Sequence, residues 1–191
     1  MSVREVVAIG DPVLRQRARE LSDEEIASPE IQGLIDDLIE TKRIRHGAGI
    51  AANQVGEPVR VAIVEVEEGN PRYPYKPPVP LTVMINPSLE PAGDETIEIN
   101  EGCLSVPDLR GSLPRHLAVR VRYLDREGKE QEEMKRGLTA GTFQHEVDHL
   151  DGTLFVDRAD PLTFATWGQF NRHQRDEFVQ RVARLSQELD S

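Results

Sequence analysis

The chain has 191 residues, with 23 basic against 34 acidic side chains, a net charge of −11 and one cysteine. That length is enough for one domain with a real core, and a single cysteine excludes an intramolecular disulfide framework. No apolar run approaches the about 18 residues of a membrane-spanning helix, and the acidic balance argues against a nucleic-acid binder, DNA included.

The opening residues 1–5, Met-Ser-Val-Arg-Glu, lack the apolar core of a signal peptide, so a cytoplasmic location is expected. Ser28 and Pro29 have the residue types of a helix N-cap and first helical position. Ile31, Leu34, Ile35, Leu38 and Ile39 then repeat with the spacing of one buried helical face. Gly47 and Gly49 are expected to end that helix. Residues 59–66, rich in Val and Ile, predict a buried strand. Residues 67–80 hold Pro71, Pro74, Pro77, Pro78 and Pro80 and read as a loop with polyproline character.

Residues 81–86 and 95–99 predict short strands. Over 117–124, Leu117, Val119, Val121 and Tyr123 alternate with polar neighbours, predicting a half-buried strand. The turn at Asp125-Arg126-Glu127-Gly128 then leads to a polar return strand over 129–136. A helix is expected from about Thr139 to Leu150, ended by Gly152. Asp160 and Pro161 open a last helix reaching about Leu189, with Phe164, Trp167, Phe178, Val182, Leu185 and Leu189 among its apolar positions. Strands in the middle flanked by helices indicate α+β. The expected architecture is mixed or antiparallel sheets around a central metal-binding helix, with N-terminal helices and a C-terminal helix. Residues 1–191 read as one catalytic domain, with 161–191 as a helical extension.

His145-Glu146-Val147-Asp148-His149 carries the strongest chemical signal. On a helix, positions i and i+4 share a face, so both imidazoles reach one metal ion. Glu146 follows the first of them, where its carboxylate can take a proton from a metal-bound water. A catalytic site needs a third ligand. The chain continues Leu150-Asp151-Gly152-Thr153, without the His-x-x-Gly-x-x-His continuation of one protease class. Cys103, in Glu101-Gly102-Cys103-Leu104-Ser105, is the better candidate. The segment Gly47-Ala48-Gly49-Ile50-Ala51-Ala52-Asn53-Gln54 lacks the third glycine of a dinucleotide fingerprint and follows a helix. Its small residues suit close backbone approach, to a strand or to an extended ligand.

These three segments, in this order and spacing, resemble the motifs of the peptide deformylases, and the resemblance covers most of the chain. It implies removal of the formyl group from formyl-methionyl nascent polypeptides during protein synthesis. It implies a divalent metal on Cys103, His145 and His149, Glu146 as general base and then acid, and an oxyanion held by Gln54 and the Leu104 N–H. The family's metal is Fe(II); zinc, cobalt and nickel suit the same donors. Gly49 would pair with the peptide backbone, and Ala48, Ile50, Ile99, Leu138, Gly141 and Thr142 would line the side-chain pocket. Family members commonly carry bulkier residues at Ala48 and Gly141, so a wider pocket or a relaxed methionine preference is expected. Glu101 and Asp148 would support the ligands, with Arg115 and Arg110 as cationic partners. The C-terminal segment carries Arg172, Arg175, Arg181 and Arg184 against Asp176, Glu177, Glu188 and Asp190. It would either pack on the domain or dock on the ribosome. A zinc endopeptidase remains the alternative; in it, Cys103→Ala would spare metal binding.

Overall fold

Ser22 and Ser28 each open a helix in the computed structural model, which describes residues 2–190, with side chains through residue 184. Ser22 and Glu25 cap each other reciprocally at the start of α1 (Asp23–Ile26). The Ser28 side chain accepts from the Ile31 N–H, and Pro29 is the first residue of α2 (Pro29–Ile44). Ile31, Leu34, Ile35, Leu38 and Ile39 are buried on one face of α2, as their spacing requires. The helix stops earlier than expected, because His46 adopts a positive φ of 52°. Gly49 belongs to a strand instead.

Among the described residues seven strands follow, and every pairing between them is antiparallel. Gly49–Ala51 (β1), Val61–Val66 (β2) and Val79–Pro91 (β3) form one side of a five-stranded sheet. Thr96–Cys103 (β4) and Val106–His116 (β5) form a separate two-stranded ribbon. Ala118–Leu124 (β6) and Glu130–Arg136 (β7) complete the sheet, whose order is β1-β2-β3-β6-β7. β3 runs past the expected residue 86 because a register shift between Ile85 and Ser88 absorbs Pro87. Asn86 sits at φ 50° in that bulge, and its side-chain amide bonds both backbone groups of Leu21. β5 was not expected, since Pro107, Gly111 and Pro114 interrupt its pattern. A two-stranded ribbon tolerates them because each strand has an edge needing no ladder donor.

The expected polyproline stretch is a chain of turns. Tyr73 donates its N–H to the Asn70 carbonyl at 3.2 Å, and the Asn70 side chain accepts from Arg72 and Tyr73. Tyr73 is thereby held in the core.

α3 (Gly137–Leu150) lies between the sheet and the ribbon, burying Leu138, Ala140, Phe143, Val147 and Leu150. It ends where Gly152 adopts φ +76°. A Cβ at Gly152 would lie 2.8 Å from the Arg15 carbonyl oxygen, so only glycine fits.

The expected continuous last helix is broken. Pro161–Thr163 is a single 3₁₀ turn, and Phe164 lies outside any helix. Thr166 caps α4 (Trp167–His173), Gln174 leaves helical geometry, and α5 (Arg175–Asp190) follows. Phe170, Phe178 and Val182 pack with Ile99 and Leu138. Leu185 and Leu189 fall outside the described side chains. Among the described residues no helix is long and apolar enough to cross a membrane.

Candidate metal centre and active site

α3 carries His145 and His149 one turn apart, and the end of β4 brings Cys103 to them. The three ligand atoms lie within 4.8 Å of one another. Cys103 Sγ is 3.2 Å from His149 Nε2. Burial alone would push the Cys103 thiol up, but the imidazoles of His149 and His145 hold it well below its ordinary range. Burial pulls His145 down, yet Cys103 and Glu101 raise it well above its usual value. A thiolate facing concentrated positive charge is the environment that a divalent cation satisfies, so the donor set fits a borderline metal.

The orientation of His145 is set from behind. Its Nδ1 lies 2.8 Å from Glu101 Oε2, which leaves Nε2 for an ion. Arg115 grips the same carboxylate through Nε at 2.7 Å and Nη2 at 2.9 Å. Arg115 Nη1 also donates to Asp148. Burial alone would raise Glu101, but Arg115 and His145 hold it well below the carboxylate range. Arg110, expected as a second cationic partner, does not join this group. It donates to Asn100 and Tyr75 and stacks on Trp167, 4.2 Å from the ring centroid. Glu101 is already saturated by Arg115, and the aromatic faces of Trp167 and Phe170 hold the Arg110 guanidinium instead.

Glu146 is buried, and its Oε2 has no hydrogen-bond partner among the described residues. Burial pushes it above the usual carboxylate range, with His145 and His149 pulling the other way. Its carboxylate lies against Gly49, where any Cβ would collide with it. Gln54 is held by its carbonyl, which accepts from the Ala51 N–H at 2.9 Å. Its amide nitrogen therefore points inward, donating to Ser105 Oγ at 3.0 Å beside Cys103. Its second N–H faces Cys103 Sγ at 3.4 Å, so both donors of the amide point at the centre.

A cavity of about 40 Å³ adjoins this centre. Of the expected lining residues, Ala48, Ile99, Leu138, Gly141 and Thr142 border it, together with Gly49 and Leu104. Ile50 does not: it is fully buried in the layer beneath α2, paired across the sheet with Ile63. Strand alternation turns its side chain away from the cleft. The small Gly141 does not open the expected void, because Ile99 Cδ1 occupies the place of its missing side chain. Tyr73, Tyr75, Lys76 and Phe178 also border the cavity. Sequence reasoning missed Tyr73, Tyr75 and Lys76 because a proline-rich loop has no periodicity; Phe178 was read as an apolar helix position with no link to the pocket. A larger cleft of about 830 Å³ leads outward from Cys103 and Leu104 past Arg72 and Trp167.

A Cys-His-His set with Cys103 and His149 buried, an unpartnered glutamate oxygen and an adjoining pocket define a metal-dependent hydrolase site. The chain belongs to the polypeptide deformylase family, whose model matches residues 3–165. Members are hydrolases that remove the N-terminal formyl group of nascent peptides, and that is the reaction of this chain. The chain is similar to peptide deformylase 2 of Nostoc sp., 46% identical over 155 residues, which span 81% of this chain and 85% of that relative. It is 40% identical over 158 residues to a peptide deformylase of Leptospira biflexa, spanning 83% and 88%. Among solved structures, it is similar to a class I type b peptide deformylase of Acinetobacter baumannii with Met-Ala-Ser bound. The TM-score is 0.79 and the identity 42%, covering 83% of this chain and 99% of that one. Peptide deformylase of Thermotoga maritima gives 0.73 at 33% identity, covering 84% and 100%.

Proposed function

We propose that this chain releases formate from formyl-methionyl nascent polypeptides with Glu146 as the proton carrier. The observation that carries the reading is the buried, unpartnered Oε2 of Glu146, one residue from His145, with burial pushing its carboxyl above the usual carboxylate range. A divalent ion on Cys103, His145 and His149 supplies Lewis acidity that lowers the pKa of water. Glu146 accepts the proton of the attacking water at Oε2 and hands it to the leaving amine nitrogen as formate departs. The Gln54 N–H that faces Cys103 Sγ turns to the oxyanion, and the backbone N–H of Leu104 donates beside it; one such donor is worth about 10²–10³ in kcat. Gly49 pairs with the extended peptide as an added strand, and the cavity beside it takes the first side chain.

Fe(II) is the resident metal in this reading, and zinc, nickel or cobalt suits the same donors. The 191 residues act as one catalytic domain in the cytoplasm. The exposed Arg172 and Arg184 on the last two helices support a ribosome contact. Its test is salt-sensitive co-sedimentation weakened by Arg172→Glu and Arg184→Glu. The main reading is tested by formate release from formyl-Met-Ala-Ser with iron- or nickel-loaded protein. Glu146→Ala is expected to abolish release while keeping the metal. Release that survives in Glu146→Ala removes Glu146 from the mechanism.

A further inference from the structure

Lys76 brings a cation into the wall of the side-chain pocket. It projects from the loop between β2 and β3 and donates from Nζ to Thr142 Oγ1 at 2.8 Å. The Thr142 hydroxyl donates in turn to the Leu138 carbonyl at 3.0 Å, so its lone pair is aimed at Lys76. Lys76 Nζ also lies 4.9 Å from the centroid of the Tyr73 ring. An ammonium has three N–H groups. Thr142 takes one and the aromatic face a second. No carboxylate pairs with Lys76 among the described residues. Burial lowers its pKa to about 8, with Glu101 and Glu146 pulling it back up, so it stays largely charged at neutral pH. The side of the pocket near Gly141 is closed by Ile99. The side near Thr142 is therefore where the end of a substrate side chain meets the protein, and that side is polar.

We propose that Lys76 is a specificity-determining residue of this pocket, which selects a first side chain ending in a hydrogen-bond acceptor. This rests on the deformylase reading above and names what its pocket prefers. A substrate that fills the pocket with a plain hydrocarbon removes water from the remaining N–H of Lys76 and offers nothing in return, which is costly. The thioether of methionine is a weak acceptor, and a sulfoxide oxygen is a strong one. Norleucine has nearly the shape of methionine without an acceptor. The ranking by acceptor strength is sulfoxide, then methionine, then norleucine.

The test compares kcat/KM for formyl-X-Ala-Ser, with X methionine sulfoxide, methionine or norleucine, in the wild type and in Lys76→Met. That variant keeps the aliphatic stem and removes the donors. The wild type is expected to process the sulfoxide at least as well as norleucine. The sulfoxide-to-norleucine ratio is expected to fall about tenfold in Lys76→Met. A ratio unchanged by the variant overturns the proposal. If the variant does not fold, the wild type decides: a preference for norleucine over sulfoxide overturns it, and sulfoxide processed at least as well as norleucine supports it. Absence of formate from all three peptides defeats the deformylase reading itself, and the proposal with it. Formate release with unchanged ratios defeats the proposal alone.

Discussion

Glu101 Oε2 meets His145 Nδ1 at 2.8 Å, although 44 residues separate them. The carboxylate holds Nδ1 and would leave Nε2 to a metal ion. It fixes the ring and strengthens the nitrogen on its far side. Glu101→Gln keeps the shape and removes the charge that Arg115 and His145 share. Metal affinity is expected to weaken about 10- to 100-fold, measured by competition with a chelator. An unchanged affinity would mean that packing alone orients His145.

Gly49→Ala reads out the contact with Glu146. The new Cβ enters the space of the carboxylate. Glu146 has to swing off line, and displacing a reacting group by about 1 Å costs on the order of 10² in rate. Formate release is expected to drop about a hundredfold, with metal content and thermal midpoint nearly unchanged. Full activity in this variant would show that Glu146 works from another position.

Phe178 anchors α5 to the pocket wall, its ring edge-on to Tyr75 at 5.1 Å and close to Phe170. Phe178→Ala removes a buried aromatic side chain, which typically costs about 3 kcal/mol or more. The thermal midpoint is expected to fall, and proteolysis to clip residues beyond Gln174 sooner. A variant with both properties intact would leave α5 held by other contacts.

Acid stability follows from Glu65. Arg43 bonds its carboxylate twice, burial works against the charge, and Lys42 adds a third bond at 2.6 Å. Together they bring it down to about 2 from an ordinary 4.5. Folding thus favours the charged form, so the contribution is complete above about pH 4.5 and is lost as pH falls toward 2. Arg43 is half in solvent, which reduces the effect to about 2 kcal/mol. Denaturant unfolding of Glu65→Gln is expected to lose that slope between pH 4.5 and 2. A parallel pair of curves would assign acid unfolding to other groups.

The ladder of apolar residues on α2, the alternation of β6 and the one-turn spacing of His145 and His149 were legible because each follows a local period. Only β5 and β1 among the strands escaped. β5 is broken by prolines that its ribbon edges tolerate, and β1 is three residues long. The last helix looked continuous because no proline follows Pro161 in 161–189 and the single Gly168 is tolerated inside a helix. Thr166 and Gln174 divide it through local hydrogen bonding and backbone geometry.

By itself the sequence singled out Cys103, His145 and His149 as candidate ligands, the glutamate beside them and the α+β class. Spacing along one helix points to the histidines and Glu146, and the motif around the lone cysteine points to Cys103. Tertiary structure alone decided that Arg115, not Arg110, holds Glu101, that Ile50 turns into the core, and that Ile99 fills the gap at Gly141. It also brought Lys76 to Thr142 across 66 residues of chain. No periodicity links such segments. Their meeting depends on how the sheet, the ribbon and α3 pack against one another, and that packing sets which charges are buried together.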